Sequence, residues 1–418
     1  KDAEIERSNK LLSLISYDQE SGFIKNMAII ESNNNQYLAV GIIKLCGLEA
    51  VEAVFGVDER NKIVRKLCQR IAEKYAQCCD IVTFNADLYL LLCRENVQTF
   101  TRKIAMVNDF DSSFGYRNLR IHKSAICEPL QGENAWSYAE KLKLAISSIR
   151  DHMFSEFIFC DDAKLNEIEE NIWIARNIRH AMEIGELFLV YQPIVDINTR
   201  AILGAEALCR WVSAERGIIS PLKFITIAED IGFINELGYQ IIKTAMGEFR
   251  HFSQRASLKD DFLLHINVSP WQLNEPHFHE RFTTIMKENG LKANSLCVEI
   301  TETVIERINE HFYLNIEQLR KQGVRISIDD FGTGYANYER LKRLQADIIK
   351  IEGVFVKDIV TNTLDAMIVR SITDLAKAKS LSVVAEFVET QQQQALLHKL
   401  GVQYLQGYLI GRPQPLAD

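Results

Sequence analysis

Eight polar side chains stand in short apolar runs that have no packing use for them. They are Glu206 in LGAEAL, Asn267 in LLHINVS, Glu299 in LCVEITE, Asp329 and Asp330 closing VRISIDD, Lys350 in ADIIKIE, Glu386 closing LSVVAE and Gln406 in VQYLQGYL. If these runs end at one place, five carboxylates meet there, and they repel one another unless divalent cations neutralise them. The donors are all oxygens with no Cys or His cluster in support, which favours a hard cation such as Mg²⁺ or Mn²⁺ over structural zinc. Successive side chains of the Asp329-Asp330 pair point differently, so one could bridge two metals while the other serves one. Two metals about 4 Å apart suit in-line displacement at phosphorus, activating a water and stabilising the leaving oxygen. Lys350 could orient that water or stabilise charge in the transition state. The segment FGTGY after the acid pair supplies a glycine-rich loop.

The elements that must position these residues follow from the spacing. Apolar runs alternate with helical patterns such as residues 241–249 and 367–378 over about 250 residues, which predicts parallel strands joined by crossover helices. A (β/α)8 barrel is the economical solution, and its strands deliver polar residues from their C-terminal ends to one mouth. The alternative, that the same groups are salt bridges of a barrel rim, suits Glu339 and Asp347 better than the strand-end set.

The chain has 418 residues, so about 150 residues per domain allows two or three domains. With 47% hydrophobic and 25% charged residues the composition is that of a globular protein, and no apolar window is long enough for a transmembrane helix. The net charge of −8 argues against broad binding to DNA or RNA polymers, which needs a basic face. It leaves open a phosphate-bearing small molecule, because metal ions can supply the positive charge. Nine cysteines show no CxxC pair or zinc spacing, and read as buried reduced thiols of a cytoplasmic protein. His277 and His279 read as surface histidines at a helix start.

Six of the seven prolines lie at or beyond Pro193, which suggests a boundary near residue 163. We expect a linker helix over 1–16 continuing from an upstream sensory or membrane region, since the first residue is Lys rather than Met. A smaller α+β domain follows over 17–162, and the barrel over 163–418. The smaller domain offers strand candidates at 37–45, on either side of Asn85-Ala86-Asp87, and at 119–127, with helical spacing from Ile63 to Ile71 and over 135–149.

The second domain resembles the EAL family of cyclic di-GMP phosphodiesterases. The matching segments, in order, are YQPIVD at 191–196, Glu206-Ala207-Leu208 followed by Arg210, INVSPWQL at 266–273, EITE at 299–302, DDFGTGY at 329–335, KIE at 350–352, VVAEFVET at 383–390 and QGYLIGRP at 406–413. The resemblance implies a modified (β/α)8 barrel of TIM type that hydrolyses cyclic di-GMP to linear pGpG with two ions, Mg²⁺ or Mn²⁺. It assigns one metal to Glu206, Asn267, Glu299 and Asp329, and the second to Asp329 and Asp330. Lys350 and Glu386 would position and activate the water, with Gln406 supporting the site. Gln192, Leu208 and Arg210 would contact the nucleotide, with Asp330 and Gln406 bordering it. Glu302 would anchor the DDFGTGY loop. A homodimer through the barrel is a further implication. A receptor that binds cyclic di-GMP with little turnover, signalling through the first domain, is the alternative. Two positions depart from the family pattern. Glu352 replaces an Asp, keeping the acid and changing its reach. Phe387 replaces a Gly, a change expected to be tolerated because Glu386 and Glu389 are intact.

The first domain resembles a degenerate GGDEF domain. YDQESGFIKN at 17–26 echoes a family turn, and Phe55-Gly56 keep register. The signature region reads Asn85-Ala86-Asp87-Leu88-Tyr89, without the glycine pair. Lys44 occupies a metal-binding Asp position, and Glu52 and Asn61 replace base-reading residues. The inhibitory RxxD would fall at 77–80, without its Arg. Cyclase activity is therefore not expected, which leaves a regulatory or dimerising role.

Overall fold

The computed structural model describes residues 21, 23–24, 37–45, 48–85, 87–105, 123–128, 135–148, 157–255, 258, 261–301, 308–332 and 344–416. The helix expected over 1–16, Glu302 and loop residues 333–335 lie outside them. The chain divides into two compact units, residues 1–173 and 174–418.

The first unit is built on strands β1 (Ala39–Lys44), β2 (Cys79–Asn85), β3 (Leu88–Cys93), β4 (Lys123–Cys127) and β5 (Phe157–Phe159), in the spatial order β2-β3-β1-β4-β5. Only the β4–β5 pair is parallel; β1, β2, β3 and β4 pair antiparallel. The helices are α1 (Leu48–Phe55), α2 (Val57–Tyr75), α3 (Val97–Ala105), α4 (Ala135–Ser148) and α5 (Asp162–Ile184), of which residues 162–173 belong to this unit. Strand alternation sends side chains to both faces, and both are covered. Ile43, Tyr89 and Leu91 pack on Ile63, Leu67 and Ile71 of α2. Val40, Leu90 and Leu92 pack on Tyr138 and Leu142 of α4 and Leu165 of α5.

The second unit is a closed barrel. Its strands are β6 (Leu187–Asp196), β7 (Ile202–Ser213), β9 (Leu263–Asn267), β10 (Leu296–Thr301), β11 (Arg325–Phe331), β12 (Ile348–Ile351), β13 (Ser382–Ala385) and β14 (Tyr404–Leu405), with β8 (Gly217–Ile219) as an edge extension of β7. From β7 through β14 the pairs are parallel. β6 differs from the all-parallel expectation: it pairs antiparallel with both β7 and β14 and so closes the ring. The cause is the connection. β6 and β7 are joined by a tight turn in which Asp196 Oδ1 accepts from Asn198 N and Thr199 N at 2.9 and 2.7 Å, whereas a parallel pair needs a long crossover. Helices α6 (Pro221–Asp230), α7 (Ile234–Arg255), α8 (Pro270–Leu273), α9 (Phe278–Glu288), α10 (Glu310–Gln322), α11 (Gly353–Lys357), α12 (Thr363–Lys379) and α13 (Gln391–Leu400) make up the connections.

Alternation explains how the barrel carries both a core and a site. Outward-facing Ile266, Val298, Ile326, Ile328 and Ile349 join the apolar cluster that includes α7, α9 and α10 residues. Inward-facing Ile194, Leu263, Cys297, Ile348 and Val384 close the floor of the barrel as a separate small cluster. One step of two residues above that floor, the same face carries Gln192, His265, Glu299, Lys350 and Glu386. These five strands therefore run from an apolar floor to a polar mouth along one face. Among the described residues no helix is long and apolar enough to cross a membrane.

Candidate active site

Lys350 is the centre of the site. Its side chain is fully buried, and its Nζ lies 2.8 Å from Glu386 Oε1, 3.0 Å from both Glu206 Oε2 and Glu299 Oε2, and 3.2 Å from Asp329 Oδ1. Five strands are thereby tied through one ammonium. Asn267 Nδ2 donates to Glu206 Oε1 at 2.6 Å, and Gln406 Nε2 donates to Glu206 Oε2 at 2.7 Å and to Gln192 Oε1 at 3.2 Å. Gln192 sits opposite Glu206 in the β6–β7 register, which places it there.

Burial alone would push the Lys350 ammonium down; Asp329, Glu206, Glu299 and Glu386 overcome it and hold its pKa well above the ordinary value. Glu206 also resists burial: Lys350, Gln406 and Asn267 bring its pKa down to about 2. One ammonium cannot do this for every acid. Burial pushes Glu299 and Glu386 well up, in spite of Lys350. Burial, followed by the neighbouring Asp329, raises Asp330 to about 6.

The Asp pair reaches the same mouth by a backbone irregularity. Strict alternation would send Asp330 to the outer face, but Asp330 has a φ of 55°, and the β11–β12 register shifts between Ile328 and Phe331. Such a bulge re-aims a side chain. Asp329 and Asp330 consequently both line a cavity of about 300 Å³, together with Gln192, Glu206, Leu208, Arg210, Glu386 and Gln406. Glu299 and Lys350 lie beneath it.

The donors fit hard divalent cations. Oxygens of Glu206, Glu299 and Asp329 come within 4.8 Å of one another, as do those of Asp329, Asp330 and Glu386. Asp329 Oδ1 and Gln406 Oε1 are buried without a hydrogen-bond partner, the former touching Lys350 without hydrogen-bond alignment. Orphaned acceptors in an acid-rich pocket are what a cation would satisfy.

Residues 175–413 match the EAL domain family. The chain belongs to the EAL family. It is 87% identical over 417 residues to "Probable cyclic di-GMP phosphodiesterase PdeI" of Escherichia coli (strain K12), a match covering 100% of this chain and 53% of PdeI. To "Probable cyclic di-GMP phosphodiesterase PdeA" of the same organism it is 47% identical over 399 residues, covering 90% of this chain and 51% of PdeA. The chain thus spans about half the length of these curated relatives. The solved "PaMucR Phosphodiesterase, c-di-GMP complex" superposes with a TM-score of 0.55 at 35% identity, covering 58% of this chain and 98% of that one. EAL enzymes as a family are metal-dependent, in keeping with the acid clusters here.

The EAL barrel also holds functional features beyond the strand-end set. His265 is buried, and the tautomer protonated on Nδ1 donates to Glu299 Oε1 at 2.7 Å. Burial, and then Lys350, lowers its pKa to about 3, so the imidazole is neutral. Its signal was available: an ionisable residue two positions before Asn267 shares its strand face. His277 is exposed, but His279 is largely covered, with Nδ1 2.7 Å from Asn315 Oδ1. Glu352 Oε2 is another buried oxygen without a hydrogen-bond partner. Phe387 corrects an expectation. Its φ is 51°, so the residue in the usual glycine position does adopt the left-handed backbone, which costs an L side chain roughly 1–2 kcal/mol. The ring is 62% exposed, lies over Gly353 and lines the cavity beside Glu386.

Proposed function

We propose that this chain is a metal-dependent phosphodiesterase that hydrolyses one phosphodiester of cyclic di-GMP to linear pGpG. The observation that carries the reading is the cluster of four carboxylates on the buried Lys350, directly beneath a cavity lined by further acids and Arg210. Glu206, Asn267, Glu299 and Asp329 would hold one divalent cation, Mg²⁺ or Mn²⁺, and Asp329 with Asp330 a second. When bound, such ions supply the charge that acidifies water and stabilises a leaving alkoxide.

The remaining steps belong to the chain's own side chains. Lys350 fixes four carboxylates whose mutual repulsion would otherwise spread them. Arg210 offers its guanidinium to a phosphate, and Leu208 and Gln192 bound the nucleotide. Glu386, whose burial raises its proton affinity, takes the proton of the attacking water at a carboxylate oxygen. Gln406 and Asn267 keep Glu206 ionised by donating to it, and His265 orients Glu299 through its hydrogen bond to Oε1.

The first unit is read as a degenerate GGDEF-like domain, residues 17–162, preceding an EAL domain at 163–418. Glu52 lies 3.3 Å from Arg60 Nε, and Arg60 NH1 donates to Asn61 Oδ1 at 3.0 Å. The two positions that the resemblance gives to base recognition are thus both engaged by Arg60. A regulatory or dimerising role, a homodimer through the barrel, a cytoplasmic location and an upstream sensory region belong to the same proposal.

Incubation with cyclic di-GMP and Mg²⁺ or Mn²⁺, followed by chromatography, tests the activity. pGpG should accumulate. Tight binding without product would instead make the barrel a receptor.

A further inference from the structure

Three cysteines that no spacing in the sequence connects meet at one end of the β2–β3 hairpin. Cys79 opens β2 and Cys93 closes β3, and the two are direct partners in the antiparallel register. Arg94 N donates to Cys78 O at 2.9 Å, which flanks the 79/93 pair and leaves it in the non-hydrogen-bonded position, where facing side chains stand closest. Cys78 precedes β2, with its Sγ 3.7 Å from Cys79 Sγ. All three sulfurs lie within 4.8 Å of one another, and the residues are 7%, 3% and 0% exposed.

These separations suit a metal. Three thiolates at Zn–S bonds of about 2.3 Å in a tetrahedral arrangement stand roughly 3.8 Å apart. The surroundings also favour the thiolate form that a metal needs. Lys103 Nζ sits 3.8 Å from Cys78 Sγ and 2.7 Å from Glu95 Oε1. Both Lys103 and Glu95 are partly exposed, so the pair forms a thin polar boundary between the thiols and solvent. Thiols that only fill apolar space do not require an ammonium against them.

We propose that Cys78, Cys79 and Cys93 form a binding site for one thiophilic cation, Zn²⁺ or Cu⁺, bounded by the Lys103–Glu95 pair. Binding releases the thiol protons to solvent as the three sulfurs become thiolates. The site is chemically separate from the barrel mouth, whose donors are all oxygens and suit hard cations.

The test is a titration of the whole, reduced chain with Co²⁺ in excess Mg²⁺, which keeps the oxygen site occupied. A near-ultraviolet sulfur-to-cobalt charge-transfer band should saturate at one equivalent per chain and disappear on adding Zn²⁺. Cys79→Ser and Cys93→Ser should each weaken binding by about tenfold or more. Cys127→Ser, which removes a buried thiol outside the cluster, should leave it unchanged. A far-ultraviolet circular dichroism spectrum and a thermal midpoint matching the unmutated chain report that a variant is folded. Absence of the band in the unmutated chain overturns the proposal whether or not the variants fold, and so does a band that survives in both Cys79→Ser and Cys93→Ser.

Discussion

In the barrel, four carboxylates surround one ammonium; on the five-stranded sheet and its helices, Glu52 meets Arg60, Asp80 meets Arg94 and Glu95 meets Lys103, one acid to one base. Topology produces the difference. Parallel strands of a barrel all end at one mouth, so ionisable residues at their ends accumulate whether or not their charges balance. An antiparallel sheet sends successive strand ends to opposite edges, and its charges pair locally. Where charge is left uncompensated inside a fold, the imbalance marks a site; where it cancels, it marks structure. Variants of the two regions should therefore behave in opposite ways.

The largest effect is expected at Lys350. Lys350→Met leaves four acids facing one another, and removal of one partner from a buried charge cluster costs about 3–5 kcal/mol. Urea unfolding of the metal-free variant should show that loss, and hydrolysis of cyclic di-GMP should fall by about 100-fold or more. A next effect is acid sensitivity of the metal-free barrel. His265 is neutral in the fold with a pKa of about 3. The unfolded chain takes up a proton below the ordinary value of about 6.5, so it binds more protons and stability falls as pH drops from about 6.5 towards 3, by up to about 1.4 kcal/mol per pH unit. Asp330, Glu299 and Glu386, whose proton affinities are raised, act in the opposite sense, so the His265 contribution is read as a difference in unfolding midpoints. The unmutated chain should lose stability relative to His265→Gln as pH falls from about 6.5 towards 3.

Much of this was legible in the amino-acid sequence. Glu206, Glu299, Lys350 and Glu386 stand out as ionisable residues in apolar runs, where packing has no use for them. His265 carries the same signal in LLHINVS, two positions before Asn267 on the same strand face. The antiparallel direction of β6 was not legible, because periodicity reports which face a residue takes and not which way the strand runs. The left-handed backbone at Phe387 and the bulge that turns Asp330 inwards are likewise properties of the folded chain. Cys93 joins Cys78 and Cys79 only through the pairing of two strands, which no local spacing records.

Two smaller effects sharpen the contrast. Phe387→Gly should raise the thermal midpoint by relieving a left-handed φ, a gain of about 1 kcal/mol before the lost contact with Gly353 is subtracted. The smallest belongs to the first unit. Glu52→Gln removes a partly exposed ion pair and should change stability by less than about 1 kcal/mol, with hydrolysis unchanged. A large loss of activity there would mean that the two units are not the independent chemistries described above.

If the acids gathered on Lys350 form a metal-dependent hydrolytic site, turnover must depend on both the metal and Glu206. The direct measurement compares pGpG formation by chelator-stripped protein, the same protein with Mn²⁺ restored, and Glu206→Ala with Mn²⁺. Product should form only in the second. Unchanged turnover by Glu206→Ala, or by the stripped protein, would place the hydrolytic chemistry elsewhere.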